Sequence, residues 1–288
     1  MARLVAILTI IAGLGLLAGA TLFKVQPDSV IPVARSVGFN PFDVVMDPIP
    51  VDRANPPLPA ARFVETGTAT LTRFEAGAEY VPEPDQGTLH RGPGGLVWWG
   101  WGPTGDTRRP TVVLLHGPGR TGESMVDMWR ETAERQGLVI VAPNLGNLPG
   151  WEFGRPDPRA VAIALDAAAE IYPVDKGRVA LFGHSRGAIA AQVLANQYSG
   201  PWKAVAVHGG TLPLNYVAPA ARPLPIRHYL GSVDQSFPYA TALESGAALA
   251  DAGHPFELVR LHGHDHWFYE AGEDIAAHAW GWLETQIR

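Results

Sequence analysis

The stretch Val179-Ala-Leu-Phe-Gly183-His-Ser185-Arg-Gly187-Ala-Ile-Ala-Ala191 decides the fold that the sequence predicts. It opens with an apolar run typical of a buried strand and closes with the small-residue pattern of a helix. Between them stands Gly-x-Ser-x-Gly, which in this context indicates a tight turn that lifts a serine above a sheet. The turn requires Gly183 and Gly187, because a side chain at either position would collide with the neighbouring strand or helix. We therefore predict Ser185 as a nucleophile.

Two later strand-like runs also end in residues that can assist such a serine. Residues 226–230 lead into Asp234, and residues 256–261 lead into a loop that contains His264 and His266. A serine nucleophile needs a histidine to accept its proton and a carboxylate to orient that histidine. In enzymes whose serine lies on such a turn, the three follow one another in the order serine, acid, histidine. The order along this chain fits that requirement.

From about Leu96 to the C-terminus, the chain resembles the α/β-hydrolases. The phrases that carry the resemblance are His116-Gly-x-Gly-Arg120, Gly183-His-Ser-Arg-Gly-Ala188 and Gly263-His-Asp-His-x-x-Tyr269. They are similar to the esterase branch that contains polyhydroxybutyrate-depolymerase-like, feruloyl-esterase-like and esterase-D-like enzymes. The resemblance implies an α/β fold with a mostly parallel, eight-stranded sheet flanked by helices. It also implies a Ser-His-Asp triad that acts on carboxylic esters.

The resemblance leaves two candidates for the base. The esterase-D-like pattern Gly-x-x-His favours His266, whereas the Gly-His pattern of depolymerase-like relatives, with Trp267 three residues later, favours His264. We predict His266 as the base and keep His264 as the alternative. Asp265 is a rival carboxylate to Asp234, but it lies beside the candidate bases on the wrong loop. A helix N-cap or a turn is the structural alternative for Asp234.

The predicted oxyanion hole departs from the family pattern. One donor should be the backbone N–H of Arg186, directly after the nucleophile. The second donor usually follows His116-Gly117, where this chain has Pro118, and proline has no N–H. Either Gly119 or Arg120 donates instead, or the hole is weaker, and we predict Gly119 as the second donor. Because loss of one such donor typically costs about 10²–10³ in rate, a catalytically weak binding protein on a hydrolase fold remains an alternative.

Aromatic residues near the predicted site suggest substrate contacts. Trp151 and Phe153 lie on the loop after the strand at 138–142, and Trp267 follows the predicted base. Their rings could stack on an aryl or sugar ester, or they could belong to the core. The segment from 209 to 225 is short and rich in proline, so we predict no large cap domain and an open site. Such a site suits a small or polymer-derived ester, and a peptidase or acyltransferase with the same triad is the alternative.

Composition excludes several classes of function. The chain has 288 residues, 47% of them apolar and 17% charged, which fits one large globular domain. Its net charge of −6 and its lack of a basic cluster argue against nucleic acid as a partner. It has no cysteine, so disulfides and thiolate metal ligands are excluded. The histidine-rich loop at 262–266 lacks the His-x-His-x-Asp-His spacing of metallohydrolases, and we predict no metal and no cofactor.

The N-terminal region predicts export. Residues 4–23 carry no charge and are long enough to span a bilayer, and Ala18-Gly-Ala20 resembles a signal-peptide cleavage site. We predict a signal peptide or membrane anchor at 1–24, with possible membrane attachment through residues 4–23. A proline-rich linker at 25–62 and the hydrolase domain at 63–288 follow. The domain should be periplasmic or secreted.

The periodicity of the domain predicts alternating strands and helices. The predicted strands are 68–74, 96–101, 111–115, 138–142, 179–182, 204–208, 226–230 and 256–261. The predicted helices are 123–136, 159–172, 186–197, 239–252 and 273–286.

Overall fold

A computed structural model describes residues 59–69, 80–220 and 222–288. Within these residues nine strands form one sheet: β1 Phe63–Ala69, β2 Thr88–Arg91, β3 Val97–Trp101, β4 Arg109–Leu115, β5 Val139–Pro143, β6 Val174–His184, β7 Trp202–His208, β8 Ile226–Gly231 and β9 Phe256–Leu261. The α-helices of the same residues are α1 Gly122–Gln136, α2 Pro158–Ala169, α3 Arg186–Gln197, α4 Tyr239–Asp251 and α5 Gly272–Gln286. Strands and helices alternate along most of the chain, as the sequence predicts.

The strand order places the predicted nucleophile at the middle of the sheet. The order across the sheet is β1-β9-β8-β7-β6-β4-β5-β3-β2. All neighbours from β1 to β5 in this order run parallel, and only β3 and β2 are antiparallel to their neighbours. In such sheets ligands bind beyond the carboxyl ends of the central strands. Strand β6 ends at His184, so Ser185 stands at that edge.

Alternate residues of the central strand β4 enter two separate cores. Val113 and Leu115 pack with residues of α2, α3 and α4 on one face. Val112 and Leu114 pack with residues of α1 and α5 on the other face. Because both faces are covered, the central strands are continuously apolar rather than alternating. These packed strands form a rigid base for the loops at their ends.

The sheet has one more strand than the eight that the resemblance implies. The additional strand is β2, which pairs with β3 at the edge of the sheet. It has only four residues, three of them exposed, so it lacks the apolar periodicity that marks the buried strands. The predicted edge strand at 68–74 begins earlier, because Phe63 stacks on Phe256 with ring centroids 5.9 Å apart and starts the parallel pairing with β9. Residues 70–74 lie outside the described residues.

The absence of a large cap is confirmed for the described residues of the segment between β7 and β8. They contain only one short turn of 3₁₀ helix, at Leu214–Tyr216. The predicted signal peptide or anchor at 1–24 and most of the linker at 25–62 lie outside the described residues. Among the residues that the structure describes, none of the helices combines the length and apolar character needed to cross a membrane.

Candidate active site

Ser185 occupies a strained turn between β6 and α3. Its backbone has φ 55° and ψ −118°, a left-handed conformation that non-glycine residues rarely adopt. The two glycines of the motif make the turn possible. A Cβ atom at Gly183 would lie 2.2 Å from the carbonyl oxygen of Gly187, and one at Gly187 would lie 2.1 Å from that of Leu115. The predicted steric reason for both glycines is thus confirmed.

The structure brings together the three residues that the sequence selects as a triad. The Oγ atom of Ser185 lies 3.0 Å from Nε2 of His266. Nδ1 of the same ring lies 2.9 Å from Oδ2 of Asp234. Since a carboxylate only accepts, Nδ1–H donates to Asp234, which leaves Nε2 free to accept the serine proton. The three side chains form one continuous hydrogen-bonded chain.

Asp234 is held in its ionised form. Burial opposes its charge, but its interactions with His266 and with the backbone N–H groups of Phe237 and Ser236 together outweigh burial and lower the pKa of the carboxyl group. The backbone N–H groups of Ser236 and Phe237 also donate to Oδ1, at 2.8 and 2.9 Å. The ring of Phe237 lies 5.5 Å from that of His266 and covers it from one side. An ionised acceptor of fixed orientation therefore faces Nδ1 of the base.

The loop after β4, predicted to contribute to the oxyanion hole, is anchored by His116. Its Nδ1–H donates to the carbonyl oxygen of Gly117 at 2.7 Å, and its Nε2 accepts from the N–H of Leu145 at 2.9 Å. Burial lowers the pKa of His116 to about 4, which keeps the ring neutral and able to make both bonds. The loop then passes close to the nucleophile, since a Cβ at Gly117 would lie 3.4 Å from Cβ of Ser185.

The two predicted oxyanion donors differ in their surroundings. Arg186 is the first residue of α3, so its N–H has no carbonyl partner within the helix and lies at the positive end of the helix dipole. Gly119 is exposed and has φ 68°, a conformation that favours glycine. Both roles remain predictions.

A chain of buried histidines, not predicted from the sequence, lies beneath the triad. His184 and His208 face each other through their Nδ1 atoms at 3.0 Å. Nε2 of His208 is 2.9 Å from Nε2 of His264. The chain reaches the triad, because the rings of His184 and His266 lie 5.2 Å apart and the carbonyl oxygen of His208 accepts the N–H of Ser185 at 2.9 Å. Burial lowers the pKa of each of these three rings.

His264, the alternative base, is thus a member of this buried chain. Its ring is 1% exposed, and its Nε2 faces His208, whereas the Nε2 of His266 faces Ser185. The geometry therefore favours His266 for the role of base. A visible signal for His208 was its position, because it ends the central strand β7 just as His184 ends β6.

The three predicted substrate contacts lie in different environments. Trp151 is buried, and its ring packs at 4.8 Å against that of His116. Phe153 is 64% exposed. Trp267 is half-buried beside the base, and its ring is 5.2 Å from the guanidinium carbon of Arg120. The core alternative thus applies best to Trp151, and contact with substrate remains a prediction for all three. In the described part of the chain, no group of three or more histidine, aspartate or glutamate side chains is arranged to hold a metal ion.

Comparison with known proteins identifies the fold. The sequence matches no protein-family model and no curated protein. The structure is similar to esterase 2 of Thermogutta terrifontis, with a TM-score of 0.56 and 19% identity over 72% of this chain and 97% of that one. An S-formylglutathione hydrolase from Agrobacterium tumefaciens gives a TM-score of 0.55 and 15% identity over 67% of this chain and 90% of that one.

A larger protein shares the same architecture. The acylaminoacyl peptidase of Pyrococcus horikoshii gives a TM-score of 0.55 and 15% identity over 75% of this chain, which spans 42% of the peptidase. These similarities confirm the α/β-hydrolase fold that the resemblance implies. At this level of identity they show the fold alone, so the activity must be argued from the site.

Proposed function

We propose that this protein is a serine hydrolase that cleaves carboxylic esters through an acyl-enzyme intermediate. The observation that carries the proposal is the hydrogen-bonded chain of Ser185, His266 and Asp234, at 3.0 and 2.9 Å. The same constellation of nucleophile, base and orienting carboxylate supports acyl transfer on unrelated folds. The strained backbone of Ser185 supports the proposal, since such strain is typical of functional sites.

The reaction follows from the positions of these atoms. The Oγ atom of Ser185 attacks the ester carbonyl while Nε2 of His266 takes its proton, and Asp234 stabilises the resulting imidazolium. The N–H of Arg186, with a second donor from the loop after His116, stabilises the negative oxygen of the tetrahedral intermediate. The imidazolium then protonates the departing alcohol. Water, deprotonated by the same histidine, attacks the acyl group and releases the acid.

Hydrolysis of a panel of 4-nitrophenyl and feruloyl esters tests the proposal. We expect Ser185→Ala and His266→Ala to lower kcat by about 10⁴-fold or more, because they remove groups that act as one unit. Asp234→Asn should cost about 10⁴-fold, because it removes the charge that favours the imidazolium and the correct tautomer. The matched control is Asp265→Asn, since Asp265 accepts the N–H of Trp267 at 2.6 Å in a turn.

The comparison between His264 and His266 decides the base. His264→Gln should retain measurable turnover, because His264 contacts His208 and not the nucleophile. Loss of all activity in His264→Gln with full activity in His266→Gln would reverse the assignment. A folded wild-type protein that hydrolyses none of these esters would contradict the proposal and favour the binding-protein alternative suggested by Pro118.

A further inference from the structure

Two arginines lie beside the proposed nucleophile and base. The guanidinium carbon of Arg120 lies 5.1, 5.2 and 5.0 Å from the ring centroids of Tyr80, Trp267 and Tyr269. The guanidinium of Arg186, the residue after the nucleophile, lies 6.0 Å from the ring of Trp151. Both arginine side chains are half-buried. Each guanidinium is therefore located against aromatic rings at the edge of the site.

Neither arginine is neutralised by the residues that the structure describes. Within them, no carboxylate lies within 4 Å of either guanidinium and neither guanidinium donates a hydrogen bond. Some arginines elsewhere in the domain are paired with carboxylates, as Arg159 is with Asp157 at 2.7 Å and Arg227 with Glu257. In a chain of net charge −6, this site therefore holds two cations without a carboxylate partner among the described residues.

Both arginines lie close to the reacting groups. Trp267, which contacts Arg120, directly follows His266, and Arg186 directly follows Ser185. The ring of Tyr269, which also lies beside Arg120, is 5.7 Å from the ring of His184, and the ring of His184 is 5.2 Å from that of His266. A ligand group that reaches either guanidinium would therefore be only a short spacer away from the scissile carbonyl.

The chemistry of the arginines selects the kind of ligand group. Aromatic rings offer a guanidinium no strong hydrogen-bond acceptor, so its N–H edges can still donate to a ligand. Those edges match a carboxylate, which they bind through two parallel hydrogen bonds. Partial burial of a cation without a counter-charge costs free energy, and a bound anion would offset that cost. Repulsion from the rest of the acidic protein is screened beyond about 10 Å at 0.1 M salt.

We propose that the preferred substrates are short esters that carry a free carboxylate, bound by Arg120 and Arg186. This inference rests on the proposed function, because it assigns a substrate class to the same site. It makes the two arginines specificity-determining residues, and it distinguishes this site from one that selects neutral acyl chains.

Two matched esters of adipic acid test the proposal. One is the 4-nitrophenyl half-ester with a free carboxylate, and the other is the 4-nitrophenyl ester whose second carboxyl is methylated. The measured quantity is the ratio of kcat/KM for the charged ester to that for the neutral ester, after subtraction of the uncatalysed rates. We expect a ratio above about ten for the wild type, since hydrogen bonds between charged groups are the strong ones.

Variants assign the preference to the two arginines. The ratio should fall at least about tenfold in Arg120→Gln and in Arg186→Gln. Arg120→Lys keeps the charge but loses the planar, two-pronged donor geometry of the guanidinium, so it should retain part of the preference for the charged ester. The matched control is Arg130→Gln on α1, because Arg130 also lies over a ring, that of Trp101 at 4.0 Å, and pairs with Glu134. That control should keep the wild-type ratio.

The outcomes separate this inference from the function on which it rests. A wild-type ratio of one or less overturns the inference, and so does an unchanged ratio in both glutamine variants. In either case, turnover of the neutral ester leaves the proposed function standing. If the folded wild type hydrolyses neither ester, the proposed function and the inference both fail.

Discussion

Ser185 combines a strained backbone with a hydroxyl that meets the base at 3.0 Å. The strain is maintained by close packing around it, since Gly183 and Gly187 contact the backbone of neighbouring elements where a Cβ would not fit. A third glycine also packs against the turn that contains Ser185. A Cβ at Gly210 would lie 2.2 Å from the carbonyl oxygen of Ser185, so the loop after β7 also packs directly on the nucleophile turn. Placement of the hydroxyl therefore depends on small residues that make no contact with substrate.

Substitution of Gly187 tests this dependence. In Gly187→Ala the new Cβ would meet the carbonyl oxygen of Leu115, so the turn or β4 must move and the Ser185–His266 distance must change. A misplacement of about 1 Å can cost on the order of 10²-fold in rate. We expect a loss of this size in kcat/KM, together with a lower Tm.

Gly281→Ala is the control for that substitution. Gly281 lies inside α5, and outside the backbone of its own helix no atom of the described residues lies within 4 Å of its Cβ position. Alanine should stabilise the helix by about 0.5–1 kcal/mol and leave kcat/KM unchanged. Equal activity of Gly187→Ala and wild type would contradict the steric account of the turn.

At the residue scale, the sequence predicts much of the candidate site. Ser185, Asp234 and His266 are each found at a strand end in the expected order, and the structure brings their side chains together. Residue spacing alone does not predict which histidine of the 262–266 loop faces the serine, because residues at alternate positions of an irregular loop have no fixed direction. Motif similarity selected His266, and the geometry favours the same residue.

At the element scale, contacts between neutral imidazole rings, rather than between charged side chains, connect the ends of β6 and β7 with the loop after β9. His184 and His208 are register partners on adjacent strands, and His264 completes the row. Strand pairing cannot be inferred from a single strand, so the sequence does not reveal this row. The same is true of Arg120, whose aromatic neighbours come from two segments that are far apart in the sequence.

Buried neutral histidines predict a loss of stability in acid. Burial lowers the pKa of His116, His228 and His254 to about 4 in the folded protein, whereas an unfolded chain has a histidine pKa of about 6.5. Between these values the unfolded state binds protons that the folded state excludes. Stability is therefore complete above pH ~6.5 and falls as the pH drops towards about 4, by about 1.4 kcal/mol per pH unit for each such histidine.

Urea unfolding at pH 7.5 and pH 5.0 measures this effect. His228→Leu is the informative variant, because Nε2 of His228 is buried without a hydrogen-bond partner among the described residues. The variant should lose less unfolding free energy between the two pH values than the wild type, by about 2 kcal/mol. A wild-type protein equally stable at both values would contradict the account of the buried histidines.

At the scale of the whole molecule, the first strand of the described domain begins at Phe63, whereas the sequence periodicity predicts a start at residue 68. Strand β1 adds to the edge of β9, and the chain just before it is already bound: Ala61 N–H donates to the carbonyl oxygen of Ala250 at 2.7 Å, and Arg62 accepts from Phe256 at 3.0 Å. The central strands and helices follow from apolar periodicity. The edge strands do not, because half-exposed edges carry a weaker pattern.

Truncation tests the contribution of this edge. We expect residues 59–288 to fold stably, and removal of residues 59–79 as well to lower the unfolding free energy by about 3 kcal/mol or more, as deletion of a buried phenylalanine does. The loss follows from the parallel pairing of β1 and the stacking of Phe63 on Phe256. The check is the Tm of the two truncated proteins side by side. Equal values would show that β1 is dispensable.

The most direct test of the central claim, that Ser185 is an activated nucleophile, is covalent labelling of the folded protein with a fluorophosphonate, read by intact mass and peptide mapping. The account predicts one adduct, located on Ser185, that is absent in Ser185→Ala and forms far more slowly in His266→Ala. No adduct on the folded wild type, or an adduct of equal yield in Ser185→Ala, would contradict it.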